Sequence, residues 1–190
     1  MLRLPASITR KLEQLFPKAA DRNLFVAEVL SVALQQFDQK ASEEEIRVGG
    51  TLHLFTDGGS RGNPGQAAVG VVLEDPSSGV TLREHYERIG IETNNVAEYR
   101  ALIEGLKIAK RYHPNVLVCH LDSELIVKQL NGEYRVKMPT LQAFVDEITE
   151  LSVDFPKILY KHIPRNDNHR ADALVNRALD EHPTPKYERP

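Results

Sequence analysis

The hydrophobic pattern of this chain changes character near residue 50. After it, TLHLFTD alternates, with Leu52, Leu54 and Thr56 on one face and His53, Phe55 and Asp57 on the other, as a half-buried strand does. QAAVGVVLEDPSSGVTLREHYERIG predicts a hairpin with its turn at Asp75–Gly79. TNNVAEYRALIEGLKIAKRYHP predicts a helix, with Tyr99, Leu102, Ile103 and Leu106 as its apolar stripe and Pro114 beyond its end. NVLVCHLD is a near-continuous apolar run of strand length, the pattern of a central strand. SELIVKQLNG reads as a short helix closed by Gly132, MPTLQAFVDEITELS as another, KILYKHIP as a strand and NDNHRADALVNRALDEH as a last helix. The order β-β-β-α-β-α-α-β-α, a meander followed by alternating units, predicts an α/β fold with a mixed sheet flanked by helices.

Before residue 50 the periodicity is helical. LRLP suits a short strand; SITRKLEQLF and DRNLFVAEVLSVALQQF predict two helices, the second with Leu24, Val26, Ala27, Leu30 and Leu34 at helical spacing and Asp21 as its cap. QKASEEEIRVGG has a charge run, no period and a terminal Gly49-Gly50, and reads as a linker. The expected division is therefore an N-terminal helical segment over 1–38, a linker over 39–50, a main domain over 51–182 and a disordered tail over 183–190.

Composition narrows the classes. With 190 residues, 41% hydrophobic, the chain can bury a core but has no run near the roughly 20 apolar residues of a spanning helix. The start, MLRLPASITRKLEQ, lacks the pattern of a secretory signal. The single cysteine, Cys119, lies in an apolar run, so no disulfide framework exists and a reducing cytoplasm is expected. Net charge is −3, and because residues 1–48 hold as many basic as acidic residues, the excess acid lies in the main domain. An acidic domain that binds an anion must concentrate its cations or recruit metal ions.

Four acids stand where sheets of this kind build sites. Asp57 and Asp122 end strands; Glu98 and Asp172 fall in about the first turn of a helix. Helix-terminal carboxylates are favoured by the dipole, so each of the latter pair also has a purely structural explanation. Converging carboxylates repel and need a cation. No Lys/Arg cluster accompanies them and no Cys/His set has zinc spacing, so hard oxygen ligands point to magnesium or manganese. Paired ions of this kind serve in-line phosphoryl displacement.

FTDGGSRGNPG, TNNVAEYRALIEGL, LDSELIVKQL and NHRADALVNRA resemble, in order and spacing, the motifs of type 1 ribonuclease H, over about residues 51–182. The resemblance implies that family's five-stranded mixed sheet, with Asp57, Glu98, Asp122 and Asp172 as metal-binding catalytic acids for two Mg²⁺ ions, or Mn²⁺ in their place. Asp57 would bridge both ions, Glu98 and Asp122 would complete one side, and Asp172 would hold the other ion. It implies an endonuclease that cuts the RNA strand of RNA–DNA hybrids, leaving 3′-hydroxyl and 5′-phosphate ends. By position it assigns substrate contacts to Gly58, Asn63, Asn94 and Asn95, with Thr93 near a DNA-strand phosphate. Thr93 or Asn94 could also cap the helix. The bare glycine loop would let a nucleic-acid strand come close.

The resemblance thins in three places. The family's loop histidine has no clear counterpart: His162, His169 and Arg165 are the candidates. The Lys-rich protrusion is reduced to Arg135 and Lys137 in NGEYRVKMP, which predicts a weaker grip. The N-terminal strand-helix-helix order weakly resembles a ribbon-helix-helix module, with only Arg3 available as a basic strand residue. So short a segment is expected to dimerise, to pack on the main domain or to bind nucleic acid. Two alternatives stand beside this reading: a relative acting on double-stranded RNA or RNA–DNA junctions, and a DNA-binding regulator with a vestigial nuclease domain, against which the presence of all four acids speaks.

Overall fold

The computed structural model describes residues 6–20, 22, 25–27, 29–30 and 49–181. The backbone divides into two compact units, Met1–Glu45 and Ile46–Pro190. In the first, α1 spans Ala6–Leu15, within the helix predicted from SITRKLEQLF. The described residues from 19 to 30 are helical in the region of the second predicted helix. The rings of Phe16 and Phe25 stack at 4.8 Å, and Arg22 Nη1 donates to the carbonyls of Phe16 and Pro17. The LRLP strand, Asp21, Leu24, Leu34, linker residues 39–48 and the tail 183–190 lie outside the described residues.

The second unit is a five-stranded sheet in the order β3-β2-β1-β4-β5. Its strands are β1 (Thr51–Gly62), β2 (Gly65–Asp75), β3 (Val80–Glu92), β4 (Val116–Leu121) and β5 (Ile158–His162). The β3-β2-β1 meander is antiparallel, and β4 and β5 add in parallel. Helices α2 (Asn94–Lys110), α3 (Glu124–Leu130), α4 (Pro139–Ser152) and α5 (His169–Glu181) complete it, with a 3-10 turn at Arg165–Asn168 before α5. This is the predicted order. The apolar stripe of α2 is buried against Leu52, Leu54, Leu117, Cys119 and Leu121 of β1 and β4, in one core shared with α3 and α4. On the other face, Val175, Ala178 and Leu179 of α5 pack on Ala68. The buried set explains the near-continuous apolar run of β4: Leu117, Val118, Cys119 and Leu121 are all inside.

The stretch after Asp57 departs from the expectation. It is not a loop: β1 runs on to Gly62, paired with β2 residue by residue from His53↔Glu74 to Gly62↔Gly65. Only the β4 side stops, at Thr56↔Leu121. Asp57 is thus the first residue beyond the parallel pairing and sits within a strand, not at its end. Two glycines of this region also serve a purpose the sequence did not show. A Cβ on Gly58 would lie 2.1 Å from the backbone of Ala97, and one on Gly70, the partner of Asp57, 2.3 Å from the carbonyl oxygen of Ala171. The close approach they permit is that of α2 and α5 to the sheet.

Candidate active site

The register brings the first two acids together. Beyond the last β1–β4 rung, Thr56↔Leu121, the next residues are Asp57 and Asp122, side by side where the two strands part. Helix α2 starts at Asn94, with the Thr93 side chain accepting from the Val96 N–H, so Glu98 stands at the start of the second turn, about where the sequence placed it. Its position comes from the Gly58 contact with Ala97 rather than from the helix dipole. Carboxylate oxygens of Asp57, Glu98 and Asp122 lie within 4.8 Å of one another. Asp172, in the first turn of α5, lines the same cleft, of about 430 Å³, together with Gly58, Ser60, Arg61, Asn94 and Arg165.

These groups are costly to ionise in their protein surroundings. Burial, then the charges of Asp122 and Asp172, push the Asp57 carboxyl up to about 7. Burial, then Asp57 and Asp122, push Glu98 well above the usual carboxylate range. Glu98 Oε2 is buried and has no hydrogen-bond partner among the described residues. Among those residues no basic side chain is ion-paired with Asp57, Glu98 or Asp122. Three converging oxygen donors, one with a free lone pair, fit a hard divalent cation.

Asp172 is held differently. Arg165 Nη2 donates to Oδ1 at 3.1 Å, and Asn176 Nδ2 to Oδ2 at 2.9 Å. Of the three candidates for the loop-histidine position, Arg165 alone lines the cleft; His162 ends β5, and His169 begins α5 with Nδ1 against the Asn166 carbonyl. Of the predicted substrate contacts, Gly58 and Asn94 line the cleft. Asn94 Oδ1 accepts from the Ser60 N–H at 3.3 Å, and Asn63 Oδ1 accepts from the Asn94 N–H at 3.2 Å, tying the β1–β2 turn to the start of α2. Thr93 is the cap, and Asn95 is exposed outside the cleft lining. Sequence reasoning missed Ser60, Arg61, Asn168 and Asn176. The Asp172/Asn176 pair had a signal, its i,i+4 helical spacing. Arg61, paired with Asp180, had none, because that partner is 119 residues away.

Residues 55–178 match the family described as "Reverse transcriptase-like". The chain is 42% identical over 127 residues to a bifunctional protein of Mycobacterium tuberculosis, a match covering 67% of this chain and 35% of that one. It thus spans about a third of the length of the mycobacterial relatives it matches. It is 43% identical over 133 residues to ribonuclease HI of Halobacterium salinarum, covering 70% of this chain and 66% of the relative. The crystal structure of RNase H1 from that archaeon superposes with a TM-score of 0.68 at 42% identity, over 70% of this chain and 100% of the other. LC11-RNase H1, solved in complex with an RNA/DNA hybrid, superposes with a TM-score of 0.64 at 44% identity, over 68% and 97% of the two chains. No helix among the described residues is long and apolar enough to cross a membrane.

Proposed function

The chain belongs to the ribonuclease H family, and from that premise we propose that it is an endoribonuclease that hydrolyses the RNA strand of RNA–DNA hybrids, leaving 3′-hydroxyl and 5′-phosphate ends. The catalytic domain in this reading is 51–182. The observation that carries it is the convergence of Asp57, Glu98 and Asp122 within 4.8 Å, in a cleft that Asp172 also lines. These four acids would hold two Mg²⁺ ions, which when bound supply an activated water and charge stabilisation at the leaving oxygen. The ionised acids bind the metal, so the raised protonation of Asp57 and Glu98 is a property of the metal-free protein.

The remaining cleft residues orient substrate. Ser60, Asn63 and Asn94 form a hydrogen-bonded polar rim beside the acids, suited to the 2′-hydroxyl that distinguishes RNA from DNA. Arg61 and Arg165 are the cations of the cleft lining. Each is held in the free protein by an acid of α5, Asp180 or Asp172, and is available to a phosphate. The reducing cytoplasm suits the buried, unpaired Cys119.

The N-terminal unit is proposed to pair with a second copy. Ile8, Leu15, Val29 and Leu30 are each about half exposed or more, in a segment too short to close a core of its own.

The test is cleavage of end-labelled RNA–DNA hybrid, double-stranded RNA and a duplex with a single ribonucleotide, in Mg²⁺ and in Mn²⁺. Wild type is expected to cut the RNA strand of the hybrid, and Asp57→Asn to abolish cleavage while hybrid binding without metal survives. Unchanged cleavage by that variant would end the mechanism. Preferred cutting of either other substrate would move the chain to the corresponding relative. Duplex DNA binding by the full chain without any hydrolysis would favour the regulator.

A further inference from the structure

A residue that is neither acidic nor part of the cleft lining bonds to the backbone beside the acid cluster. Asn168, the last residue of the 3-10 turn, is 1% exposed. Its Nδ2 donates to the carbonyl oxygen of Thr56 at 2.9 Å, across 112 positions of sequence. Thr56 forms the last β1–β4 rung and immediately precedes Asp57. Four residues after Asn168 comes Asp172, in the first turn of α5. One hydrogen bond therefore joins the backbone that carries Asp57 to the turn that delivers Asp172.

Stability alone is a poor reason for this side chain. Asn168 Oδ1 is buried with no partner among the described residues, and an unpaired buried acceptor costs about 1–3 kcal/mol. Leucine has as many side-chain heavy atoms and no unpaired acceptor of its own, but it would take the donor away from the Thr56 carbonyl. What leucine lacks is a donor that sets the distance and angle of the turn against Thr56. The other groups on Asp172 act from its own side of the cleft: Asn176 belongs to α5, and Arg165, at 79% side-chain exposure, begins the same 3-10 turn. Neither ties that turn to β1.

We propose that Asn168 is a positioning residue that fixes Asp172 at the distance from Asp57 needed for shared metal binding. The proposal rests on the reading of these acids as metal ligands. Loss of such an outer contact costs about 10–100-fold in metal affinity or activity.

The experiment uses the full chain and the variants Asn168→Leu, Asn168→Ala, Asp172→Asn and the double Asn168→Leu/Asp172→Asn. Mn²⁺ binding is measured by calorimetry, cleavage of labelled hybrid across a Mn²⁺ series, and stability by thermal unfolding. Asn168→Leu is expected to fold, to melt somewhat below wild type for the one buried hydrogen bond lost, and to need about 10–100-fold more Mn²⁺, with KM for hybrid changed by less than about twofold. The double variant should bind Mn²⁺ no more weakly than Asp172→Asn alone, because both changes act through one carboxylate. A folded Asn168→Leu protein with wild-type Mn²⁺ dependence overturns the proposal, as does failure of both the Leu and the Ala variant to fold, which makes the amide structural. Wild type that neither binds Mn²⁺ nor cuts hybrid overturns the functional reading itself, and is recognised in the wild-type arm.

Discussion

Asp57 and Glu98 are destabilising when ionised without metal, and this has a definite pH signature. Asp57 titrates from an ordinary value of 3.8 when unfolded to about 7 when folded. Between those values the folded state binds the extra proton, so stability in chelator falls as pH rises from about 4 to about 7. Denaturant titrations at pH 5 and pH 8 with EDTA should show that fall. Excess Mg²⁺ should offset it at pH 8, because metal binds the ionised acids and not the unfolded chain. By the same argument Glu98→Gln should raise the melting temperature in EDTA at pH 8 while eliminating cleavage, since it removes a buried carboxyl that is costly to ionise beside two others. That opposite movement of stability and activity marks a site assembled at a cost to the fold. At this scale the sequence was informative about identity: all four acids could be named from their strand and helix context, while Asn63 and Asn94 came only from the family resemblance. It could not indicate which acid would be hardest to ionise, because burial and the facing charges arise only in the folded protein.

The elements are held at their working distances by missing side chains. Gly58 admits the backbone of α2 to one face of β1, and Gly70, paired with Asp57, admits the start of α5 to the other. Gly58→Ala and Gly70→Ala should each destabilise by about 1–3 kcal/mol or more, since the obstacle is backbone that cannot rotate away. They should also lower cleavage in folded protein, by displacing Glu98 and Asp172 respectively. Chemical denaturation and hybrid cleavage of the two variants check both effects. The sequence marked Gly58 as part of a bare loop open to a ligand and gave no sign of a role for Gly70. Local pattern carries no sign of which surface comes close, and the neighbours of Gly58 and Gly70 lie at Ala97 and Ala171. The same limit explains why β1 looked as if it ended at Asp57. Its continuation to Gly62 depends on β2 lying alongside, a pairing that glycines themselves do not announce.

At the scale of the molecule, the family match covers residues 55–178, and the N-terminal unit lies outside it. A fragment of residues 46–190 is therefore expected to keep hybrid cleavage. Sedimentation should find the full chain as a dimer and this fragment as a monomer; a monomeric full chain would remove the pairing assigned to residues 1–38. With a net charge of −3 and a reduced basic protrusion, the protein should make few phosphate contacts and lose hybrid affinity only shallowly with salt, and Arg61→Ala should lower the slope of log affinity against log salt by about one more. The element order, the mixed sheet and the identity of the four acids were set by the sequence alone, because period-two and helical patterns and the chemistry of each residue are local properties. The meeting of the acids was decided by tertiary structure: by the Thr56↔Leu121 register and the two close helix contacts. Each of these joins residues distant in the chain, and the raised protonation of Asp57 follows only from bringing such charges together in a place water scarcely reaches.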